Sequence, residues 1–455
     1  MKKTLYTLAV ILTLGYVVWS LCVMSQRGVF GRSEGLNLQR MEQADSAIYR
    51  AIADGEFPGA VLCVVRRSAD GESMGELEYL KAYGHRAILS ADGRMDSVEM
   101  TEDAVFDLAS LSKCVGTTLA FMRLVEDGKV RLTDRVDRYI EDFKAWDSIA
   151  EPEKGKRRIA KTPQVVESED ITIQHLLTHT SGLPAFINVQ KFVQRCTENG
   201  ATQDVLRDSL VRHIATESKR LSRPGDKVRY SCLNFVILQA IIEQIAACGL
   251  NDFAATEVFG PLGLKNTWYN ALDAATRPFD ATTPIVPTER QADGTVLYGE
   301  VHDPIARVIN RGVSGNAGLF STAEDLAVVA SMLMNGGVVR LPKAGMLGKI
   351  GLTTPVRLYS EQTIERFFQI PEIYAGLHTR ALGWDAAYDK GGCYGDLMTA
   401  DSVASHTGYT GTSMAIDTAE GVAVILLTNR VHPTDTGSLS RTRAVVSNIV
   451  MSALE

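Results

Sequence analysis

Ser110 and Lys113 stand three residues apart in Ser110-Leu-Ser-Lys113, at what reads as the start of a helix. One helical turn places both side chains on the same face. A serine hydroxyl is a weak nucleophile until a base lies beside it, and a lysine can be that base when desolvation or a neighbouring cation lowers its pKa. The helix N-terminus adds unpaired N–H groups and a positive dipole end, both favourable to developing negative charge. S-x-x-K recurs by chance in many helices, so the pair gains weight only in company. That company is Tyr230-Ser231-Cys232, which follows Arg223-Pro-Gly225, and His406-Thr-Gly408-Tyr-Thr-Gly411 near the start of the last strand pair. Glycines in the second stretch let a ligand approach the backbone as an added strand would. Leu176-Leu-Thr-His179-Thr-Ser-Gly-Leu-Pro184 reads as a helix end entering a tight turn, a structural element.

Taken together and in this order, the chain resembles the serine β-lactamase and penicillin-binding protein superfamily. Within it, the chain is most similar to the class C-like branch of β-lactamases, DD-peptidases and related esterases. The matching stretches are Phe106-Asp-Leu-Ala-Ser-Leu-Ser-Lys113, His179-Thr-Ser-Gly-Leu-Pro184, Pro224-Gly225 with Tyr230-Ser231, and Gly318-Leu-Phe-Ser321. They continue in His406-Thr-Gly-Tyr-Thr-Gly-Thr-Ser413 and Leu427-Thr-Asn-Arg430.

The resemblance implies roles. Ser110 would attack a carbonyl and become acylated, and Lys113 would accept or relay its proton. Tyr230 would be the general base in acylation and would activate water in deacylation. His406 takes the place usually held by the lysine of the K-T-G element. The backbone N–H groups of Ser110 and Tyr409 would form the oxyanion hole, where losing one donor typically costs ~3–4 kcal/mol of transition-state stabilisation. Thr407, Gly408, Tyr409 and Cys232 would line the substrate.

Two departures from the pattern matter. Cys232 stands where asparagine, sometimes aspartate, is usual, so an amide gives way to a weak donor. His406 brings a charge expected to change near neutral pH. Both weigh against an efficient β-lactamase. The implied activity is acyl-transfer hydrolysis through a serine ester, with no cofactor. Cell-wall peptide (DD-carboxypeptidase-like) ranks ahead of β-lactams as substrate. A carboxylesterase and a penicillin-binding receptor acylated without turnover are the alternatives.

A metal-dependent hydrolase competes less well. His175 and His179 lie four apart, on one face of a helix as zinc ligands require, but no glutamate beside His175 completes H-E-x-x-H. No metal site is expected. His302-Asp303, Trp384-Asp385 and Arg430-Val-His432 could border a pocket, though such pairs more often hold loops.

These residues need elements to carry them. Leu38, Met41, Ala44, Ile48 and Ala51 have helical spacing over Leu36 to Gly55. Gly59 to Arg66, apolar and β-branched, predicts a central strand, with Leu77 to Tyr83 as its hairpin partner. Cys114 to Glu126 and Phe235 to Ala247 read as helices. Ser321-Thr-Ala-Glu324 reads as a capping box opening a helix to Asn335. Strands are expected at Ala381 to Tyr388, Gly411 to Asp417 and Val422 to Asn429, and a closing helix at about Ser438 to Ala453. Charged Glu151 to Asp170 suggests a surface insertion. The expectation is an α+β fold: an antiparallel sheet built from both chain ends (about 36–112 and 378–455) flanked by helices, with a helical lobe (about 113–377).

The chain's 455 residues, 45% of them hydrophobic, allow a large core, and the net charge of −7 without basic clusters gives nucleic-acid binding little support. Met1-Lys-Lys3 precedes Thr4 to Met24, an uncharged stretch of ~20 residues that can span a bilayer. Residues 1–25 are thus expected to be a membrane anchor or signal segment, more readily an uncleaved anchor, with 26–455 catalytic and outside the cytoplasm, in the periplasm or cell envelope. Seven scattered cysteines specify no disulfide framework and read mostly as buried small apolar residues. The expected partners are a small-molecule or peptidoglycan-peptide substrate and the membrane; no protein partner is expected.

Overall fold

The structure is a computed structural model that describes residues 35–455 apart from 91, 150–164, 344–347, 349–350, 373–379, 387–391, 400–401, 436 and 455. The apolar stretch Thr4–Met24 and most of the charged insertion lie outside the described residues. Among the described residues no single helix is long and apolar enough to cross a membrane.

The strand β1 (Gly59–Arg66) sits near the middle of a six-stranded antiparallel sheet. Its neighbours are β2 (Glu76–Leu89), followed by β3 (Met95–Glu99), and on the other side β13 (Val422–Thr428), β12 (Ser413–Asp417) and β11 (Val403–Thr407). Both chain ends therefore build one sheet. Side chains alternate across a strand, so Val61, Cys63 and Val65 enter one core while Ala60, Leu62 and Val64 enter another. With both faces covered, β1 reads as an unbroken apolar run rather than an alternating one. The smaller core is closed by α1 (Leu38–Ala53), through Met41, Ala44, Ile48 and Ala51, and by the C-terminal helix α10 (Ser440–Ser452), through Val446 and Val450.

The helical lobe lies in the sequence between the two halves of the sheet. Its helices are α2 (Leu119–Glu126), α3 (Ile173–Leu177), α4 (Val189–Glu198), α5 (Leu206–Thr216), α6 (Cys232–Ala246) and α7 (Leu250–Ala254). From Leu233 to Ile242 nearly every side chain of α6 is buried, as expected of a helix apolar all round. Further on come α8 (Ala323–Met334) and α9 (Glu361–Phe368). Three short sheets complete the fold: β4 (Phe106–Asp107) with β8 (Leu319–Ser321) and β7 (Trp268–Tyr269); β5 (Trp146–Ile149) with β6 (Val165–Glu169); and β9 (Val338–Pro342) with β10 (Thr353–Arg357).

Several expectations need correction. The described part of Ala381–Tyr388 is a turn closed by Ala381 N–H to the Trp384 carbonyl (3.0 Å) rather than a strand. His406 lies within β11, an additional strand with little alternating pattern to announce it, which precedes β12 and pairs with it. The cap of α8 is Thr322, which accepts from Asp325 N–H, one residue later than Ser321. The helix after Ser110 is π-wound over Lys113–Thr118 before becoming α2. Within the stretch Glu151 to Asp170, expected as a surface insertion, Val165–Glu169 forms β6 and pairs with β5.

Candidate active site

Ser110, the expected nucleophile, follows a strained turn. Strand β4 ends at Asp107, and Ala109 adopts φ 45°, a left-handed conformation that costs an L-residue roughly 1–2 kcal/mol. Asp107 secures it. Its buried carboxylate accepts from Ala109 N–H (2.8 Å) and from His302 N–H (2.7 Å). Burial nonetheless pushes this carboxyl above its ordinary pKa. From the other side Thr410 Oγ1 donates to the Asp107 carbonyl (2.7 Å) and Thr412 Oγ1 to the Leu108 carbonyl (3.0 Å). A Cβ on Gly408 would lie 2.4 Å from the Leu108 carbonyl and 2.1 Å from Thr412 Oγ1. The glycine of His-Thr-Gly is thus required first by the protein's own packing against the nucleophile turn.

Ser110 is partly exposed, and Lys113 behind it is fully buried. Lys113 Nζ donates to Ser110 Oγ (3.0 Å) and to the Asn316 carbonyl (2.8 Å), and lies 5.0 Å from the centroid of the Tyr230 ring. The Tyr230 phenol interacts electrostatically with Lys113, and against burial both Lys113 and Ser110 pull its pKa down. Burial alone would lower the lysine pKa, but Cys232 and Tyr230 beside it outweigh that and hold it above its usual value. Burial also raises the Tyr230 phenol, against the pull of Lys113. The resting pair is therefore ammonium and phenol, and the expected depressed lysine is not found. Ser110, Lys113 and Tyr230 share exchangeable protons, so their titration belongs to the cluster rather than to one residue.

His406 is 3% exposed, and its Nδ1 bonds the Thr407 carbonyl at 2.9 Å, which assigns the ring proton to Nδ1 and makes Nε2 an acceptor. Nε2 has no hydrogen-bond partner among the described residues. Burial, then the cations Arg380 and Lys113, hold the pKa well below the ordinary histidine value. The expected charge change near neutral pH does not occur here: His406 is neutral. His179 is structural, as read. Its Nδ1 accepts from Ser231 N–H and Asn234 Nδ2 (3.1 Å each), and its ring packs 4.5 Å from that of Tyr230, so it fixes the tyrosine's approach. His175 Nδ1 accepts from Thr172 N–H (3.1 Å) at the start of α3.

Ser110, Tyr230, His406, Thr407, Gly408 and Tyr409 all line one pocket of about 690 Å³. Of the expected set, Lys113 and Cys232 stand behind its wall. Tyr409 forms the rim: it is 57% exposed, its hydroxyl donates to Asp435, and its carbonyl accepts from Arg430 Nε (3.1 Å). His302 stacks on Tyr409 with ring centroids 5.7 Å apart, whereas His432 serves the fold, accepting from Ile88 N–H (3.0 Å).

No sequence signal pointed to Arg380. Its guanidinium sits 5.1 Å from the Tyr230 ring centroid and its Nε donates to Asp385 Oδ1 (2.8 Å), while Nη1 is buried with no hydrogen-bond partner among the described residues. An arginine between Thr379 and Ala381 carries no motif, so only the fold identifies it. Asn316, which holds Lys113, was missed for the same reason. Chemically, the arrangement sets a serine hydroxyl against a proton-sharing pair and faces it with a guanidinium able to accept an anion.

Three comparisons bear on this geometry. A family model described as Beta-lactamase matches residues 39–447. A Bacillus subtilis (strain 168) protein named N-acetylmuramyl-L-alanine amidase is 30% identical, the match covering 94% of this chain and 91% of that protein. A Salmonella agona (strain SL483) protein, provisionally named a D-alanyl-D-alanine carboxypeptidase, is 28% identical over 88% of this chain and 84% of its own. A Yersinia pestis crystal structure described as a beta-lactamase/D-alanine carboxypeptidase aligns with TM-score 0.57 at 18% identity, covering 91% of this chain and 99% of that one. At that identity the last likeness concerns the fold alone.

Proposed function

The chain belongs to the beta-lactamase family and is a serine hydrolase, and on that premise we propose that it acts on cell-wall peptides ending in a free carboxylate, as a DD-carboxypeptidase does. The observation that carries this reading is the pairing, in one pocket, of Ser110 at 3.0 Å from Lys113 with the guanidinium of Arg380, whose Nη1 has no hydrogen-bond partner among the described residues. A substrate carboxylate on Arg380 would hold the scissile carbonyl over Ser110.

In this reading the Tyr230–Lys113 pair first loses one proton to solvent, and Ser110 Oγ then adds to the carbonyl carbon while its own proton passes into the vacancy. The oxyanion rests on the Ser110 and Tyr409 N–H groups. Collapse breaks the C–N bond, the pair returns the proton to the leaving amine, and a Ser110 ester remains. Tyr230 then takes a proton from the attacking water and hands it to Ser110 Oγ as the ester C–O bond breaks, which releases the acid and regenerates the hydroxyl. The names of the amidase and carboxypeptidase relatives agree with a cell-wall substrate. Cys232 and the neutral His406 favour slow turnover of β-lactams.

The test is release of D-alanine from a peptide ending in D-Ala-D-Ala, beside nitrocefin and p-nitrophenyl ester hydrolysis, by the wild type and Ser110→Ala. The expected result is Ser110-dependent release of D-alanine as the best reaction. Ester hydrolysis alone would move the chain to the carboxylesterases, and stoichiometric acylation without turnover would make it a receptor.

A further inference from the structure

Position 232 leaves Lys113 with a poor neighbour, because a thiol is both a weak donor and a weak acceptor. A lysine side chain has four carbons of freedom and is held only by what its ammonium touches. Around Nζ stand Ser110, Tyr230, Cys232 and Asn316. Asn316 is fully buried and comes from a loop far away in sequence. Its main-chain carbonyl takes one Lys113 proton at 2.8 Å. Its side-chain Oδ1 accepts from Ser314 Oγ at 2.7 Å, and that hydroxyl in turn accepts from Asn310 Nδ2 at 2.6 Å. The neighbouring Gly315 is clamped on both sides, its N–H by Gln239 Oε1 (2.9 Å) and its carbonyl by Thr117 Oγ1 (2.8 Å). With Oδ1 pinned, the amide nitrogen turns the other way. It has no hydrogen-bond partner among the described residues. Buried amide groups left without a good partner are rare and call for a reason.

We propose that Asn316 is the positioning residue for Lys113, its main-chain carbonyl supplying from across the fold the firm acceptor that a thiol at position 232 does not, and so directing the remaining ammonium N–H bonds at Ser110 and Tyr230. This rests on the reading of Ser110, Lys113 and Tyr230 as the acylating cluster. The side chain locks the loop through Ser314, the locked loop fixes the carbonyl, and the carbonyl fixes the lysine. Cys232 fills the space beside it without competing for the proton.

The experiment measures acylation of Ser110 by a fluorescent penicillin over a range of concentrations and pH. Asn316→Ala should lower the limiting rate about tenfold or more while leaving half-saturation within about twofold. It should also displace the ascending limb of the pH profile, because the lysine is no longer held. Adding Cys232→Asn to Asn316→Ala should recover much of the rate by restoring an amide beside the ammonium. Ser314→Ala, which frees Oδ1 without touching Lys113, should move the same limb in the same direction, and it serves as the test where Asn316→Ala does not fold. Wild-type acylation by Asn316→Ala overturns the proposal. So does a loss that tracks only the melting temperature, with the pH limb unmoved and no recovery from Cys232→Asn. Labelling that persists in Ser110→Ala would instead overturn the acylating cluster itself.

Discussion

At the residue scale the site is defined by which groups are satisfied and which are not. Lys113 is engaged by Ser110 and Asn316, whereas Arg380 keeps a nitrogen with no hydrogen-bond partner among the described residues. A hydrogen bond to a charged group contributes about 1.5–3 kcal/mol, so Arg380→Gln should raise KM for a carboxylate-ended peptide by roughly 10- to 150-fold. Hydrolysis of a neutral p-nitrophenyl ester should change little; equal losses on both substrates would remove Arg380 from carboxylate recognition. The protonation states give a second expectation. Lys113 and Tyr230 are both held above their usual values, and attack by Ser110 needs one proton to leave the cluster. The reactive form therefore grows as pH rises, so the acylation rate should still be climbing at mildly alkaline pH. His406, neutral throughout, should contribute no step: His406→Gln should keep the shape of the profile between pH ~5 and ~8. A midpoint near pH ~6.5 that vanishes in this variant would show that His406 titrates after all.

At the scale of elements, the site is assembled from three pieces that meet at helix and strand ends. Ser110 and Lys113 come from the turn after β4, Tyr230 from the lead-in to α6, and His406 from β11. The far end of α6 is imperfect. Ala247 caps it at φ 55°, where a Cβ is strained and glycine is not. Ala247→Gly should raise the melting temperature, with a gain of about 0.5–1 kcal/mol once glycine's greater freedom in the unfolded chain is subtracted. Acylation by a fluorescent penicillin should be unchanged, because Ala247 lies at the opposite end of α6 from Tyr230. An unchanged or lower melting temperature would show that the left-handed cap carries no strain.

At the scale of the whole molecule, the sheet ties the two ends of the chain together, and α10 is part of the core rather than an appendage. Val446, Val450 and Ala453 are buried in the smaller cluster with α1, and Arg443 Nη2 donates to the carbonyls of Gly408 (3.1 Å) and Thr412 (2.9 Å). Removing residues after Leu439 would expose that cluster and release the strand tip that packs on the nucleophile turn. Such a truncated chain should fail to give a soluble, cooperatively melting protein. A folded and active product would show that α10 is dispensable.

The local chemistry of this protein was legible in its sequence. The Ser110–Lys113 spacing, Tyr230, the His-Thr-Gly stretch, the apolar run of β1 and the helical pattern of α1 each obey short-range rules of turn, strand and helix. The strand at Val403–Thr407, the π-wound turn, Arg380 and Asn316 do not, because each owes its place to contacts with residues distant in the chain. The same division separates identity from charge. The residue types name the groups able to exchange protons. Burial, which depends on how the whole chain packs, makes Lys113 an ammonium and His406 a neutral acceptor.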